Sequence, residues 1–263
     1  MKMYSFPRFL TPLVTASALA AATAMSFAAE SSNQSIRTTE PLEAVVPSEV
    51  RNLLLENPSV TFLVTVDESG TLVEHMPVAA THYKLISAAE KSLLSAKFTP
   101  AASNGLPVRA TAQIAVGLYD PQQRNYFRGG GPLPFGNSAS DTVDRRLYVT
   151  QKDRFAFRRS KPVQLDRPVE VTETKIMLYP DTSGRPASGE CLVEYWVDAS
   201  GNAKFPRIVK SDNDAVSTSA LLTLKKTKFV PPTHDGLPTY VQVRQAMNFN
   251  TSPSVPDSAA PKG

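Results

Sequence analysis

Three short motifs of this 263-residue chain recur in the same order and at the same distance from one another. Each motif of the first half returns 131 positions later, with no insertion or deletion between the first motif and the last. The pairs are Val66–Gly70 with Val197–Gly201, Lys97–Pro100 with Lys228–Pro231, and Gly105–Pro107 with Gly236–Pro238. One such match could arise by chance, but three in one register predict two copies of a single small fold.

Both copies begin with a strand pattern. Ahead of the Asp-x-Ser-Gly motif, apolar residues alternate with other residues, which is the period of a strand with one buried face. The alternating positions are Val60, Phe62, Val64 and Val66 in the first copy and Cys191, Val193, Tyr195 and Val197 in the second. Asp, Ser and Gly favour turns, so the segments Thr71–Ala79 and Asn202–Lys210 are predicted to fold back as hairpin partners.

A helix and a final strand complete each copy. The residues that recur every four positions, and so share one helical stripe, are Leu85, Ala89 and Leu93, and then Val216, Ala220 and Leu224. Proline ends each helix, and the alternating runs Val108–Leu118 and Val241–Phe249 follow. Each copy is therefore predicted as β-β-α-β, an α+β fold in which a three-stranded antiparallel sheet packs on a helix. A short lead-in helix is expected at Pro47–Leu55.

The first 29 residues are predicted to be a cleaved signal peptide. Lys2 and Arg8 are the only charged residues before Glu30, and an apolar, alanine-rich stretch separates them from a small-x-small site at residues 26–28. Cleavage there would release the chain into a periplasm. The alternative is an uncleaved inner-membrane anchor, because about 20 apolar residues can span a bilayer.

The segments outside the copies are expected to have little structure. Residues 30–40 and the Pro/Ser/Ala-rich tail 252–263 are predicted to be disordered. Residues 121–169 form a basic, Gly-rich linker, in which Leu147–Thr150 and Arg154–Phe157 offer a small hairpin. The basic and aromatic residues of this linker suit an anionic lipid or a cell-wall polymer. The alternative is a solvated linker whose aromatic side chains pack on the two domains.

Composition excludes several functional classes. A single cysteine, Cys191, allows no intramolecular disulfide and no Cys-rich metal site, and the three histidines are scattered. No phosphate loop, dinucleotide fingerprint or nucleophile elbow is present. Asp67 and Asp198 occupy equivalent turns, which favours a structural role for both. The net charge of +4 is small, and an exported chain is not expected to bind nucleic acid. We therefore predict no catalytic residues, no metal and no cofactor.

In these motifs the chain resembles the C-terminal domain of TonB-family energy transducers, twice over. The shared pattern is a strand ending in Val-Asp-x-x-Gly, a second strand, a helix, Phe-x-Pro, a Gly-x-Pro turn and a last strand. The second copy also has Tyr179-Pro180 ahead of its first strand, the Tyr-Pro entry typical of the family. The resemblance covers residues 41–120 and 170–251, which are the boundaries of the two predicted domains.

The resemblance implies a non-enzymatic periplasmic domain that binds a protein partner, such as an outer-membrane receptor. Binding in this family pairs an exposed strand with an extended peptide. By position, the pairing edge is the last strand of either copy. The partner-binding residues so implied are Tyr179, Pro180, Tyr240, Gln242, Arg244 and Asn248 in the second copy, and Arg109, Thr111 and Gln113 in the first.

Two features depart from an energy transducer. The N-terminal apolar stretch contains no histidine, which family anchors typically carry. The roughly 15 residues from Glu30 to Pro47 reach about 50 Å when extended, too little to cross a periplasm. We therefore predict a free-standing binding module linked to outer-membrane transport. The alternative is a structural or self-associating envelope protein, whose edges pair with each other or form a homodimer.

Signal cleavage is directly measurable. The chain produced in a Gram-negative host is expected in the periplasm, cut after Ala28 or Ala29, because small side chains precede these positions. Intact mass and N-terminal sequencing of the purified protein check this. A chain that keeps Met1 and stays with the inner membrane would show that the stretch is an anchor.

Overall fold

A computed structural model describes residues 34–121 and 152–249. These residues form two four-stranded sheets, each with a helix, and several short strand pairs. The predicted signal peptide, the Gly-rich part of the linker with residues 147–150, and the tail lie outside the described residues.

The elements are numbered in chain order. The strands of the first half are β1 (Arg37–Thr38), β2 (Glu43–Val45), β3 (Ser59–Val66), β4 (Leu72–Ala80), β5 (Phe98–Thr99), β6 (Ala101–Ser103), β7 (Leu106–Val108) and β8 (Ala110–Tyr119). Those of the second half are β9 (Arg159–Ser160), β10 (Val171–Glu173), β11 (Glu190–Val197), β12 (Ala203–Ser211), β13 (Lys228–Phe229), β14 (Thr233–His234), β15 (Leu237–Pro238) and β16 (Tyr240–Asn248). The helices are α1 (Ser48–Arg51), α2 (Ile86–Ser95) and α3 (Asp214–Lys226), with 3-10 turns at Tyr83–Leu85 and Pro162–Gln164.

The first sheet has the strand order β2-β8-β3-β4. Its central strand, β3, pairs antiparallel with β4 on one side and with β8 on the other. The hairpin of β3 and β4 is the one that the turn residues predict. The apolar positions of β3 and the helical stripe are buried together in one core, as the two periodicities require: Val60, Phe62, Val64, Val66, Leu85, Ala89 and Leu93.

The second sheet has the order β12-β11-β16-β9, and β11 is its central strand. Its three antiparallel strands follow one another as in the first sheet, with α3 in the place of α2. The stripe of α3 is buried, as predicted, through Val216, Ala220 and Leu224. Asn213 caps this helix, because its side chain accepts a hydrogen bond from the N–H of Val216 at 2.9 Å.

Each sheet has a fourth strand that the sequence did not predict. β2 pairs parallel with the end of β8, and β9 pairs parallel with the start of β16 at Tyr240 and Val241. β2 has three residues and β9 has two, which is too short for an alternating pattern to show. The predicted three-stranded antiparallel sheets are therefore four-stranded and mixed.

The aspartates of the two Asp-x-Ser-Gly turns act as turn residues. Oδ1 of Asp67 accepts hydrogen bonds from the N–H groups of Ser69 and Thr71 at 3.0 and 2.8 Å. Asp198 accepts the two corresponding bonds, both at 2.9 Å. The Ser69 hydroxyl, followed by these amides, lowers the pKa of Asp67. Both carboxylates thus form hydrogen bonds within their own turns, which is the structural role that the sequence predicts.

The glycines that end these turns cannot be replaced without strain. Gly70 and Gly201 have φ of +84° and +76°, which residues with a side chain rarely adopt. A Cβ at these positions would lie 2.5 Å from the carbonyl oxygen of Phe98 and 2.1 Å from that of Phe229. The backbone after each helix therefore packs directly on its turn, in both halves alike.

The two halves share the first core, to which the linker contributes, whereas the residues beneath α3 form a second core that belongs to the second half alone. Phe157 is 1% exposed, and its ring stacks on that of Tyr240 with 5.6 Å between centroids. Tyr240 in turn contacts the Trp196 ring at 5.4 Å, and Met76 of β4 belongs to the same cluster. The Tyr240 hydroxyl donates a hydrogen bond to the carbonyl of Val78 at 3.1 Å. The two halves and the linker residues between them therefore pack together as one compact unit.

Backbone groups also join the halves. Phe157 and Ala80 exchange two backbone hydrogen bonds of 3.0 Å, which adds the linker to the margin of β4. The N–H of Phe205 donates to the Glu74 carboxylate at 2.9 Å. These bonds add polar contacts to the apolar packing between the halves.

Two predicted boundaries change. Residues 34–38, expected to be disordered, pair with the first half through Gln34 and Ala102 and through β1 with β5. They are ordered because Ile36 is buried in the first core. The lead-in helix is shorter than predicted and comprises only Ser48–Arg51, since Leu54 has a φ of +49° that no helix continues.

The hairpin option for the linker is wrong in its described part. Residues 152–155 are helical, and Phe157 pairs with Ala80. The aromatic side chain of Phe157 is apolar enough to enter the shared core, and this burial decides the path of the chain. The alternative, in which linker aromatics pack on the domains, is confirmed for Phe155 and Phe157.

Because the core is shared, Phe157→Ala is expected to destabilise both halves together. Removing this buried ring should lower the free energy of unfolding by about 3–5 kcal/mol. Urea unfolding followed by Trp fluorescence and by far-UV circular dichroism measures it, and both probes should shift to the same midpoint. Val163→Ala is the control, since Val163 is 89% exposed and its loss should change little. Two separate transitions, one of them unshifted, would contradict a common core.

Candidate partner-binding edge

Two sheet margins are closed to a further strand. β4 contains Pro77, which has no N–H, and the linker pairs with its end at Ala80. β12 contains Pro206 and two register shifts, and Phe205 beside it has a φ of +50°. Prolines and bulges are the usual means by which an edge strand is blocked. These margins are also where the two halves meet.

The margin of β16 is open along most of its length. The N–H of Phe249 donates to Gly189 at 2.9 Å, on the side of β11. In an antiparallel pair, the groups of successive residues point alternately toward the partner and away from it, and the register of β16 with β11 has no shift. The backbone groups of Arg244, Ala246 and Asn248 therefore point outward. Among residues 34–121 and 152–249, no strand pairs with these three on the side of β16 that faces away from β11.

The margin of β8 is open over a shorter part. The N–H of Gly117 donates to Leu42 beside β2, so the outward positions before it are Thr111, Gln113 and Ala115. The Thr111 hydroxyl is 2.7 Å from that of Thr65 on the neighbouring strand. These residues lie where the sequence predicts a pairing edge in the first copy.

Arg109 directly precedes the start of β8, but its N–H already has a hydrogen-bond partner. It donates to the Glu68 carboxylate at 3.2 Å. The exposed Glu68 side chain thus occupies the first outward donor of the margin, and a guest strand on β8 would have to displace it.

Residues 155–160, here called the strap, close the start of the β16 margin. Arg159 and Ser160 pair with Tyr240 and Val241. The Ser160 hydroxyl lies 2.8 Å from that of Thr239, which donates to the carbonyl of Arg158 at 2.7 Å. The open stretch therefore begins where the strap ends.

Arg159 fixes the strap to the outer face of the sheet. Its guanidinium lies 4.9 Å from the centroid of the Trp196 ring and donates to Oε1 of Gln242 at 2.9 Å. Gln242 is therefore at the junction between strap and open margin. Tyr240 is buried beneath the strap and is 7% exposed, so the sequence prediction that its side chain meets a partner is wrong. Burial of its ring also raises the pKa of Tyr240.

Tyr179 and Pro180 lie elsewhere, beside α3. The N–H of Tyr179 donates to the Ser219 hydroxyl at 2.8 Å, and that of Met177 donates to Thr223 at 3.0 Å. The Thr227 hydroxyl, one turn further, lies 2.9 Å from that of Thr174. The Tyr179 side chain is 49% exposed. The structure thus places this pair beside α3 and outside the strand pairing that forms the β16 margin.

The hydroxyl stripe that holds this segment was missed from the sequence. Ser219, Thr223 and Thr227 recur every four residues on α3 and are buried. That spacing is visible in the sequence, but polar residues on a helix are normally assigned to its solvated face. Ala246 was also missed as a partner-binding residue. Its role rests on its backbone groups, and an alanine side chain in the sequence does not indicate where those groups point.

The outer face of the second sheet carries the charges nearest the open margin. Arg207 of β12 donates to Glu194 of β11 at 2.6 Å, and Glu194 is directly across from Arg244 of β16. The hydrogen bond from Arg207 is the main cause of a lowered pKa of Glu194, and the Arg244 charge adds to it. On the inner face, the buried Tyr195 hydroxyl donates to Gln245 at 2.7 Å, which satisfies the one polar residue of that face of β16.

Within the two described ranges, no group of three or more His, Cys, Asp and Glu could hold a metal ion. Cys191 is buried, and this burial raises the pKa of its thiol. Among the same residues, no helix has the length and apolar content needed to cross a membrane.

With this geometry in view, comparison with known proteins points to one family. Residues 178–251 match the family described as the Gram-negative bacterial TonB protein C-terminal. This part of the chain, from the Tyr179 segment through β16, is a TonB C-terminal-like domain. A curated relative, the protein TonB of Vibrio cholerae serotype O1, is 32% identical over 92 residues. That match covers 34% of this chain and 38% of the relative. No solved structure matches the chain.

The strap also covers a histidine. His82 is 4% exposed, with its ring stacked between Tyr83 and Phe155 at 4.9 and 5.4 Å. Nδ1 of His82 accepts a hydrogen bond from the N–H of Lys84 at 3.2 Å. Burial, with a smaller contribution from the Lys84 charge, lowers the pKa of His82 from 6.5 to about 4.

The stability of the fold is expected to fall as pH decreases through the range between these two pKa values. The unfolded chain takes up a proton near pH 6.5 that the folded chain excludes, so up to about 3 kcal/mol is lost by pH 4. His82→Asn keeps an acceptor for the Lys84 amide and removes this titration. Urea unfolding from pH 4.5 to 7 should show a weaker pH dependence for the variant. Equal dependence in both proteins would contradict a neutral, buried His82.

Proposed function

We propose that this chain is an exported, non-enzymatic TonB-like module that binds an extended segment of an envelope protein by strand addition to β16. The observation that carries the proposal is the row of outward backbone groups at Arg244, Ala246 and Asn248. An edge of this kind offers N–H and C=O groups that a guest strand can complete. The family match of residues 178–251 supports a periplasmic site and a partner linked to outer-membrane transport.

The first half is proposed to be a second, diverged copy of the same domain. In support, its three antiparallel strands have the same order as those of the matched domain. The turn residues Asn104 and Gly105 have φ of +52° and +79°, and Asp235 and Gly236 have +53° and +72°. These pairs are 131 positions apart, as are the sequence motifs. Local backbone geometry and sequence thus repeat together.

Of the two open margins, that of β16 is proposed as the main binding edge. The β8 margin is narrowed by β2 at one end and by Glu68 at the other. Within the described part of the chain, the β16 margin is limited at its start alone, by the strap. Thr111 and Gln113 are then secondary contacts, while Arg244 and Asn248 are primary ones.

Ala246→Pro is expected to abolish partner capture with little effect on the fold. Proline removes the outward N–H at the centre of the open stretch and places its ring where a guest strand would lie. Binding should weaken by about tenfold or more. The measurement is capture of envelope proteins on the immobilised mature chain, with folding checked by circular dichroism. Ala246→Val is the matched control, because it changes the side chain and keeps the N–H.

An unchanged capture profile for Ala246→Pro would contradict strand addition at β16. Light scattering of the same proteins tests the alternative of self-association. If the wild-type chain is a dimer that Ala246→Pro converts to a monomer, the open margins pair with each other. If it is a monomer that captures partners, the binding module is supported.

A further inference from the structure

A row of alternating charge crosses the second sheet and ends at its open margin. Arg207, Glu194 and Arg244 are direct neighbours on β12, β11 and β16, so their side chains lie on one face. Glu194 is engaged by Arg207 at 2.6 Å. Arg244 is exposed, and none of the described residues forms an ion pair with it within 4.0 Å. The order of charges is thus positive, negative, positive, followed by a margin with which none of the described residues pairs at this point.

We infer that the guest strand carries an aspartate or glutamate in the position next to Arg244. This inference rests on the proposed function and names the chemistry of its partner. Side chains directly across two neighbouring strands are about 5 Å apart, where opposite charges attract and like charges repel. Glu194 is shared between two arginines, so Arg244 keeps an uncompensated charge toward the margin. A guest carboxylate completes the row, whereas a guest lysine meets a like charge.

The neighbouring rows extend the pattern. Two residues further along β16, Ala246 is across from Leu192. The margin at Ala246 is therefore lined by small or apolar side chains and has no charge. On the other side, the Gln242 side chain accepts a hydrogen bond from Arg159 of the strap, so the open margin begins beyond it. Because residues of a strand alternate between faces, the guest has an acidic residue and a small apolar residue two positions apart.

The inner face of the margin favours apolar guest residues. Val243 and Met247 of β16 are partly buried beside the second core. The guest residues whose side chains point to this inner face would lie next to them. The preferred guest is therefore an alternating segment, apolar on the inner face and acidic at one place on the outer face. The guest strand can run parallel or antiparallel to β16 and still satisfy this pattern. In both directions the acidic residue is the one that lies across from Arg244.

The test uses blocked, dye-labelled heptapeptides and the full mature chain. Valine occupies the second, fourth and sixth positions, and threonine the two ends. The two peptides of the first pair have either glutamate or lysine at the third position, and both have alanine at the fifth. The two peptides of the second pair have alanine at the third position and either glutamate or lysine at the fifth. Fluorescence anisotropy gives the dissociation constants.

The wild-type chain is expected to bind the glutamate peptide of one pair about three to ten times more tightly than its lysine counterpart. Arg244→Glu should reverse this preference, and Arg244→Gln should abolish it. Lys210→Glu is the matched control, because it makes the same charge change on β12, at the far margin of the same sheet. It should leave the preference unchanged.

The outcomes separate this inference from the proposed function. If Ala246→Pro abolishes peptide binding but Arg244→Glu leaves the preference as it was, strand addition stands and the acidic guest is overturned. A preference that Lys210→Glu also reverses would show a general charge effect and overturn it too. If no peptide binds, or if Ala246→Pro has no effect, the proposed function fails and the inference fails with it.

Discussion

The backbone hydrogen bonds at the margins of two small sheets are the constraint from which the rest of this structure follows. A three-stranded sheet leaves two strand margins, and each exposes donors and acceptors that must meet water or another strand. Here β4 and β12 are closed by prolines, bulges and contact between the halves. β2 and the strap close parts of β8 and β16. Among residues 34–121 and 152–249, nothing pairs with a short stretch on each last strand, and β2 and the strap mark where this stretch ends or begins.

The strap connects this constraint to the core. Phe157 enters the core shared by the two halves, and Arg159 and Ser160, two and three residues later, pair with β16. The burial that joins the halves therefore also sets the limit of the open margin. A chain with two independent domains would leave both the angle between the margins and the start of the β16 edge undefined. The shared core makes them fixed properties of one body.

Sequence reasoning predicted the elements whose signals are periodic and local. The alternation in β3 and β11 and the stripes of α2 and α3 identified both cores, and the Asp-x-Ser-Gly turns behave as expected. The strap was missed because two paired residues carry no period, and because burial of Phe157 depends on residues far away in the chain. Tyr240 was misplaced for the same reason, since alternation predicts a face but not what covers it. The acidic partner of Arg207 could not be anticipated without the register.

The row that ends at Arg244 also explains how the two halves can differ while their folds agree. In the first sheet the corresponding row is Met76, Leu63 and Gln113, and Met76 is 1% exposed in the shared core. A row of side chains that packs between the halves cannot also be offered to a partner. On the proposed duplication, the first half buries this row through Met76, whereas the second half, which matches the TonB C-terminal family, packs through Trp196 and Tyr240 on the same face and keeps the row of Arg244 charged. The turn glycines are the same in both halves. Each is required by the close packing of its own turn on the backbone after its own helix, and the contact between the halves does not affect it.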